Sequence, residues 1–190
     1  MPLSVKRRLV GVAPLILNNG RLANPLDDFA KALKKITQKR HKTDADFEEV
    51  AKIEWYGSLY LKHGNICIPG AMVDACLINA AKKLRKGIQA KAGLFSLGDW
   101  PLEYDGPSDI DTLWEDGRCR FTTQCRPQSK ATVMRTRPRF EEWAIDVEIA
   151  FNPDVLNASD IDEFLRIGGR DCGLGNWRPR FGRFEVQTMA

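Results

Sequence analysis

Residues 143–151, WAIDVEIAF, constrain this chain more than any other stretch. Trp143, Ile145, Val147, Ile149 and Phe151 alternate with Ala144, Asp146, Glu148 and Ala150. Successive side chains of a strand point to opposite faces, so this alternation predicts a strand with one apolar face. Such a strand needs partner strands beside it and a layer over its apolar side.

Three segments offer partners. Arg7 to Leu17 is rich in Val, Leu and Ile and ends at the turn signal Asn18-Asn19-Gly20, with Pro14 marking an edge or bulge near its end. In Arg118 to Arg126, Cys119, Phe121, Thr123 and Cys125 alternate with Arg118, Arg120, Thr122 and Gln124, the pattern of a half-buried strand. Gly182 to Gln187 closes the chain with Phe184 and Val186 on one face.

Helices lie between them. Asn24-Pro25 reads as a helix start, with Asn24 as N-cap and Asp27 and Asp28 in the first turn. Phe29, Leu33 and Ile36 share one side of that helix. Lys31, Lys34, Lys35, Lys39, Arg40 and Lys42 occupy the rest, as a solvated or phosphate-facing surface. A second helix follows the capping pair Thr43 and Asp46, with Phe47, Val50 and Ala51 directed inward, and ends by Gly57. Pro69-Gly70 introduces a third, whose stripe is Val73, Cys76, Leu77, Ala80 and Leu84. Asn157 and Asp160 cap a fourth, with Ile161, Phe164 and Leu165 inward and Gly168-Gly169 as its stop. Lys91 to Asp116 reads as an irregular acidic connection with a short strand at 102–104.

This order predicts an α+β fold with a ferredoxin-like (RRM-like) βαββαβ core. A single domain spans 1–190, with a helical insertion at 24–57 and a basic hairpin or loop at 126–140. Two helices cover one sheet face and the other is left for a ligand. A length of 190 residues suits one such domain, and a hydrophobic fraction of 43% excludes a disordered chain. No apolar run reaches the roughly 18 residues of a membrane span, so a cytoplasmic protein without membrane contact is expected. The five cysteines form no CxxC pair and are expected as reduced thiols. Phosphate-loop, GxSxG and HExxH motifs are absent, so neither an enzyme nor a cofactor is expected.

Three segments then carry a resemblance. The first strand ends in GVAPLIL, the third helix is introduced by ICIPGAMVDACLINAAKKLR, and the chain closes through FLRIGGRDCGLGNWRPRFGRFEV. Together these resemble the repeat-associated mysterious protein (RAMP) superfamily, most of all the crRNA-binding backbone subunits of CRISPR effector complexes. The segment Asp171 to Arg180 is longer and more aromatic than that family's compact glycine loop. The resemblance implies non-catalytic, largely sequence-independent binding of RNA or single-stranded DNA by a homo-oligomer assembled along the strand. Its alternatives are a phage protein that interferes with or joins CRISPR effector proteins, or a virion or assembly component.

Two segments are the expected binding sites. In the first, Gly168 and Gly169 with Gly173, Gly175 and Gly182 would let backbone amides approach phosphate. Arg170, Arg178, Arg180 and Arg183 would neutralise it, and Trp177 would stack on a base or pack inward. In the second, Arg126, Lys130, Arg135, Arg137 and Arg139 lie on RPQSKATVMRTRPRF without one acid. The resemblance makes this stretch a thumb-like projection, with Val133 and Met134 as wedging residues. In some backbone subunits an aspartate after the first strand cleaves RNA. Asp27 and Asp28 follow that strand here, but a helix N-terminus explains both. The acidic group Asp105, Asp109, Asp111, Glu115 and Asp116 is a solvated loop or a cation site.

Overall fold

A computed structural model of the chain describes residues 2–125 and 132–189. In chain order the elements are β1 (Leu3–Gly11), β2 (Leu15–Ile16), α1 (Asp28–Thr37), α2 (Asp44–Ser58), β3 (Leu61–Lys62), β4 (Asn65–Ile68), α3 (Gly70–Lys83), α4 (Gly87–Gly93), β5 (Leu94–Ser96), β6 (Trp100–Pro101), β7 (Glu103–Tyr104), α5 (Ile110–Asp116), β8 (Arg120–Cys125), β9 (Val133–Phe140), β10 (Trp143–Phe151), α6 (Ala158–Ile167) and β11 (Phe184–Thr188). The chain is thus a mixed α+β protein with antiparallel sheets. No helix among the described residues is long and apolar enough to cross a membrane. The elements gather into two compact units. One comprises Met1–Ile16, Tyr60–Asp105 and Phe140–Ala190, the other Leu17–Leu59 and Gly106–Arg139.

The first unit is built on a sheet ordered β11-β1-β10-β5, with β7 pairing β10 as well. The alternation of β10 sets its register: Leu9 lies opposite Ile145, Arg7 opposite Val147 and Val5 opposite Ile149. On that face Leu9, Ile145, Val147, Ile149 and Phe151 are buried. Each such side chain removed from water contributes about 1.5–3 kcal/mol. Helix α6 covers them with Ile161, Phe164 and Leu165 and packs on α3, which buries Val73, Cys76, Leu77 and Ala80. Leu84, expected in the same stripe, caps α3 and is 39% exposed, because the helix ends one residue before it. Trp143 shares the inner face, where its Nε1–H donates to Ala13 O (2.9 Å) and its ring meets Phe184 edge-on.

The opposite face carries its own ion pairs. Arg8 bridges Asp146 (2.9 Å) and Glu103, while Lys6 and Ser4 meet Glu148 at 3.7 and 2.8 Å. Those of Arg8 and Lys6 are cross-strand pairs of opposite sign, the arrangement that stabilises a solvated sheet face. The sheet's short strand β5 lies in the segment expected to be irregular, as do β6, β7 and α5. β7 falls within the short strand expected at 102–104, whereas β5, β6 and α5 are too short to show a period.

The second unit holds α1, α2, α5 and the hairpin β8–β9. Of the segment expected as a strand at 118–126, Arg120–Cys125 is one, half-buried in alternation. It pairs with β9, whereas β5 takes the place beside β10. The stretch expected as a basic loop is therefore half strand: Thr136, Pro138 and Phe140 turn inward between Arg135, Arg137 and Arg139. Asp27 rather than Asn24 caps α1, its Oδ1 accepting the Phe29 N–H (2.9 Å). Asn24 instead accepts the Leu26 N–H in a turn of its own, which delays the helix by one Asx motif. The capping box of Thr43 and Asp46 opens α2 as expected. Phe47, expected inward, is 58% exposed: α2 packs through Trp55, Gly57 and Ser58 in its last turns, and its first turns project beyond that packing.

Glu54, inside α2, is 1% exposed. Its Oε2 accepts the Thr136 N–H (2.9 Å), and its carboxylate pairs with Arg135 and, at 3.8 Å, with Arg137. Trp55 beside it donates from Nε1 to Cys119 O (2.9 Å) and meets Trp114 edge-on at 5.5 Å. Removing one partner of a buried ion pair strands the other in a low dielectric. Glu54→Ala should therefore lower stability by about 3 kcal/mol or more. Urea unfolding measures this, and a midpoint equal to the parent's would deny Glu54 its anchoring role.

Candidate nucleic-acid interface

The C-terminal loop grows out of α6, whose N-terminus is closed by the reciprocal box of Asn157 and Asp160. The helix does not stop at Gly168-Gly169. It continues as a π-helical turn, Gly168–Cys172, and is terminated by Gly173 at positive φ (73°). Gly168 is itself right-handed helical, so conformational freedom is not why a glycine stands there. Close approach is: a Cβ on Gly169 would run into Phe184 O, and one on Gly168 would lie 3.0 Å from Cys76 Sγ.

The loop's amides are engaged inside the protein. Gly173 N–H donates to Gly168 O (2.8 Å), Leu174 N–H to Gly182 O (2.8 Å) and Asn176 N–H to Ile16 O (2.7 Å). Gly182 N–H reaches Pro14 O (2.8 Å), and Gly175 N–H reaches the Met72 sulfur (3.3 Å). Leu174 is fully buried at the centre. These glycines thus serve close backbone packing, and the phosphate cradle expected from their amides is not formed. Gly169→Ala, which forces a methyl against the Phe184 carbonyl, should cost about 1–3 kcal/mol of stability. A thermal midpoint at or above the parent's would contradict this account of the turn.

What the anchored loop presents outward is cationic. Arg178, Arg180 and Arg183 are exposed, and no carboxylate among the described residues pairs with them. Trp177 sits beside them, 36% exposed, at φ 55° and with its ring 6.1 Å from that of Phe181. A positive φ is costly for a bulky side chain, of the order of 1–3 kcal/mol, and persists only where the surroundings enforce it. Arg170 pairs with Asp171 (2.8 Å), which also meets Lys83 (3.3 Å). Arg170 first, then Lys83, holds the Asp171 carboxyl well below the usual carboxylate range. Lys83, Arg170, Asp171, Pro179, Arg180 and Arg183 line a shallow depression of about 620 Å³.

The second expected segment behaves differently. Arg126 and Lys130 lie outside the described residues. Arg135 and Arg137 are drawn to Glu54, and Arg139 stacks on the Phe121 ring with its guanidinium carbon 4.8 Å from the centroid. Burial lowers the Arg137 guanidinium below its ordinary value, with Glu54 opposing the shift. Met134 is 59% exposed. Three arginines read from the sequence as phosphate contacts are thus tied to a helix and an aromatic ring. The acid that holds two of them lies 81 residues from Arg135 in the chain, and no local pattern announces such a partner.

The loop also carries chemistry that sequence spacing did not reveal. Cys172, half-buried at the end of the π-turn, interacts with the thiol of Cys76 on α3. That interaction, with Lys83 and Arg178 nearby, lowers the Cys172 thiol, while the same interaction and burial raise Cys76. All five cysteines are free thiols. Thiolate is the nucleophile, so iodoacetamide at neutral pH should modify Cys172 ahead of the equally half-buried Cys125. Peptide mass spectrometry over a time course decides the order, and equal rates would count against the assignment.

Among the described residues no three His, Cys, Asp or Glu side chains gather as a metal site. Several acids of the 105–116 segment hold structural bonds: Asp109 caps α5 at Thr112 N, Asp111 accepts from Tyr56 Oη (2.7 Å) and Asp116 pairs with Arg118 (2.8 Å). Asp27 pairs with Arg21 (3.0 Å) besides capping α1, and Asp28 meets Lys31 (3.4 Å). No protein-family model matches this chain, and a search of curated proteins finds no match.

Proposed function

We propose that the chain binds single-stranded nucleic acid, RNA or DNA, along the outer rim of its C-terminal loop, and that it performs no chemistry on the strand. The observation that carries this is the grouping of Trp177 with Arg178, Arg180 and Arg183. An indole is held part-exposed at a strained backbone position, next to three cations that no carboxylate of the described chain neutralises. Stacking of a base on an aromatic ring contributes about 1–3 kcal/mol and tolerates any base. The arginines supply phosphate contacts, which add affinity without sequence preference. Lys83 and Arg170 extend the cationic rim, although Asp171 already shares their charge.

The reading extends to the fold. The succession β1-α3-β5-β10-α6-β11 on a sheet ordered β11-β1-β10-β5 supports a ferredoxin-like core. The position of the loop, between the last helix and the closing strand, supports kinship with RAMP backbone subunits. The hairpin β8–β9 keeps a thumb's place in the sequence, but its arginines 135, 137 and 139 are structural in this proposal.

Fluorescence anisotropy with labelled oligo(U) and oligo(dT) at rising salt tests it. Trp177→Ala should weaken binding about five- to a hundredfold if its ring stacks on a base. The triple change of Arg178, Arg180 and Arg183 to Ala should flatten the salt dependence by about two in log–log slope. Failure of the parent protein to bind either oligonucleotide at low salt, or equal slopes for parent and triple variant, would overturn the proposal.

A further inference from the structure

Two thiols distant in the sequence meet beneath the C-terminal loop. Cys76 belongs to the buried stripe of α3 and is 1% exposed, and Cys172 ends the π-turn that packs on that helix. Their side chains interact directly. The backbone is fitted to this meeting. Gly168 opens the turn where a Cβ would lie 3.0 Å from Cys76 Sγ, so a glycine leaves the sulfur its place. Gly173 N–H closes the turn on Gly168 O (2.8 Å), a bond that spans one residue more than an α-helical one and fixes where Cys172 falls.

The two thiols differ in what decides which reacts first. Cys172 is half-buried and open to a small solute, whereas Cys76 is shut away from solvent. The interaction with Cys76, with Lys83 of α3 and Arg178 of the loop, lowers the Cys172 thiol against burial and Asp171. The same interaction and burial raise Cys76. One sulfur is thus reachable from outside, and the other is reachable through the first. This is the division of labour between an attacking thiol and a resolving one. Cys67 and Cys119 are buried, and Cys125, half-buried at the end of β8, serves as an internal reference.

We propose that Cys172 and Cys76 form a dithiol site for hydroperoxides, in which Cys172 is oxidised and Cys76 converts the product to a disulfide that fastens the root of the loop to α3. The Cys172 thiolate attacks one peroxide oxygen. The O–O bond breaks, S–OH remains on Cys172, and the second oxygen leaves as hydroxide and takes a proton from solvent. The Cys76 sulfur then attacks the Cys172 sulfur. The S–S bond forms, the S–O bond breaks, and the departing hydroxide leaves as water with the Cys76 proton. Two thiols lose two electrons, and one hydrogen peroxide gains them as two waters. The disulfide spares Cys172 from irreversible oxidation to sulfinic acid, and an external thiol restores the pair by exchange. The inference does not rest on nucleic-acid binding, and its test reads the sulfurs alone.

The full chain is reduced, freed of reductant and exposed to hydrogen peroxide at neutral pH. Free thiols are then blocked with N-ethylmaleimide in denaturant, and peptides are read by mass spectrometry without reduction. In the parent, the peptides of Cys76 and Cys172 should appear joined, and dithiothreitol should separate them. Joining should outpace oxidation of Cys125 at least about fivefold. In Cys76→Ala, Cys172 should instead be trapped by dimedone as sulfenic acid and pass to sulfinic acid at higher peroxide. In Cys172→Ser, Cys76 should remain a free thiol. Circular dichroism confirms that both variants remain folded, and the parent alone already decides whether the pair joins. The proposal is overturned by a parent in which Cys172 is oxidised while Cys76 stays free, by a disulfide that links two molecules instead, or by Cys172 reacting no faster than Cys125. Oxidation of Cys76 in Cys172→Ser as fast as in the parent overturns it equally.

Discussion

The backbone of residues 12–16, just past β1, is clasped by the far end of the chain. Val12 N–H donates to Arg183 O, Pro14 O accepts from Gly182 N–H, and Ile16 O accepts from Asn176 N–H. These are main-chain bonds between main-chain groups, and side-chain chemistry enters only by staying out of the way. Gly169, Gly175 and Gly182 stand where a Cβ would strike a carbonyl oxygen of Phe184, Ile16 or Leu174. Proline at position 14 fits the same logic: it has no N–H to satisfy and offers only the acceptor that Gly182 uses. From this clasp follow the burial of Leu174, the seating of the Trp143 indole on Ala13 O and the outward turn of residues 177–183.

Charge is then divided by geometry rather than by count. The sheet's polar face matches Arg8 and Lys6 with Asp146, Glu103 and Glu148, while on the face that α6 covers Arg7 pairs with Asp162 of that helix (2.8 Å). In the second unit Glu54 gathers Arg135 and Arg137. What remains without a carboxylate among the described residues stands mainly on the loop rim, at the ends of α3 and α4, and on or beside α1 and α2, at Lys34, Lys35, Arg40, Lys42 and Lys52. A net charge of +4 therefore says little about the molecule, since surface pairs contribute modestly and leave no local field. The cations whose acids are missing carry the information.

Long-period features were legible in the sequence. The alternation of β10, the capping boxes of Thr43–Asp46 and Asn157–Asp160, and the stripes of α3 and α6 fall where the residue pattern places them. Short elements were less so: β7 lies within the short strand expected at 102–104, but β5, of 3 residues, owes its existence to β10 and not to any preference of its own. The β9 arginines were misjudged for a related reason. Thr136, Pro138 and Phe140 alternate with them and betray a strand, but the buried acid that recruits them is visible only in three dimensions. The glycine loop was found by composition and then misattributed. Glycine marks both positive φ and steric approach, and sequence cannot separate the two.

The two units are woven from alternating lengths of chain, and this orders events during synthesis. The second unit is complete once Arg139 has emerged, whereas β1, made first, must wait for β10 and β11 before either of its edges is occupied. A strand left open that long is a site for errant pairing. Lys6, Arg7 and Arg8, three consecutive cations in its middle, repel a second nascent β1 and so guard the strand until its proper neighbours arrive.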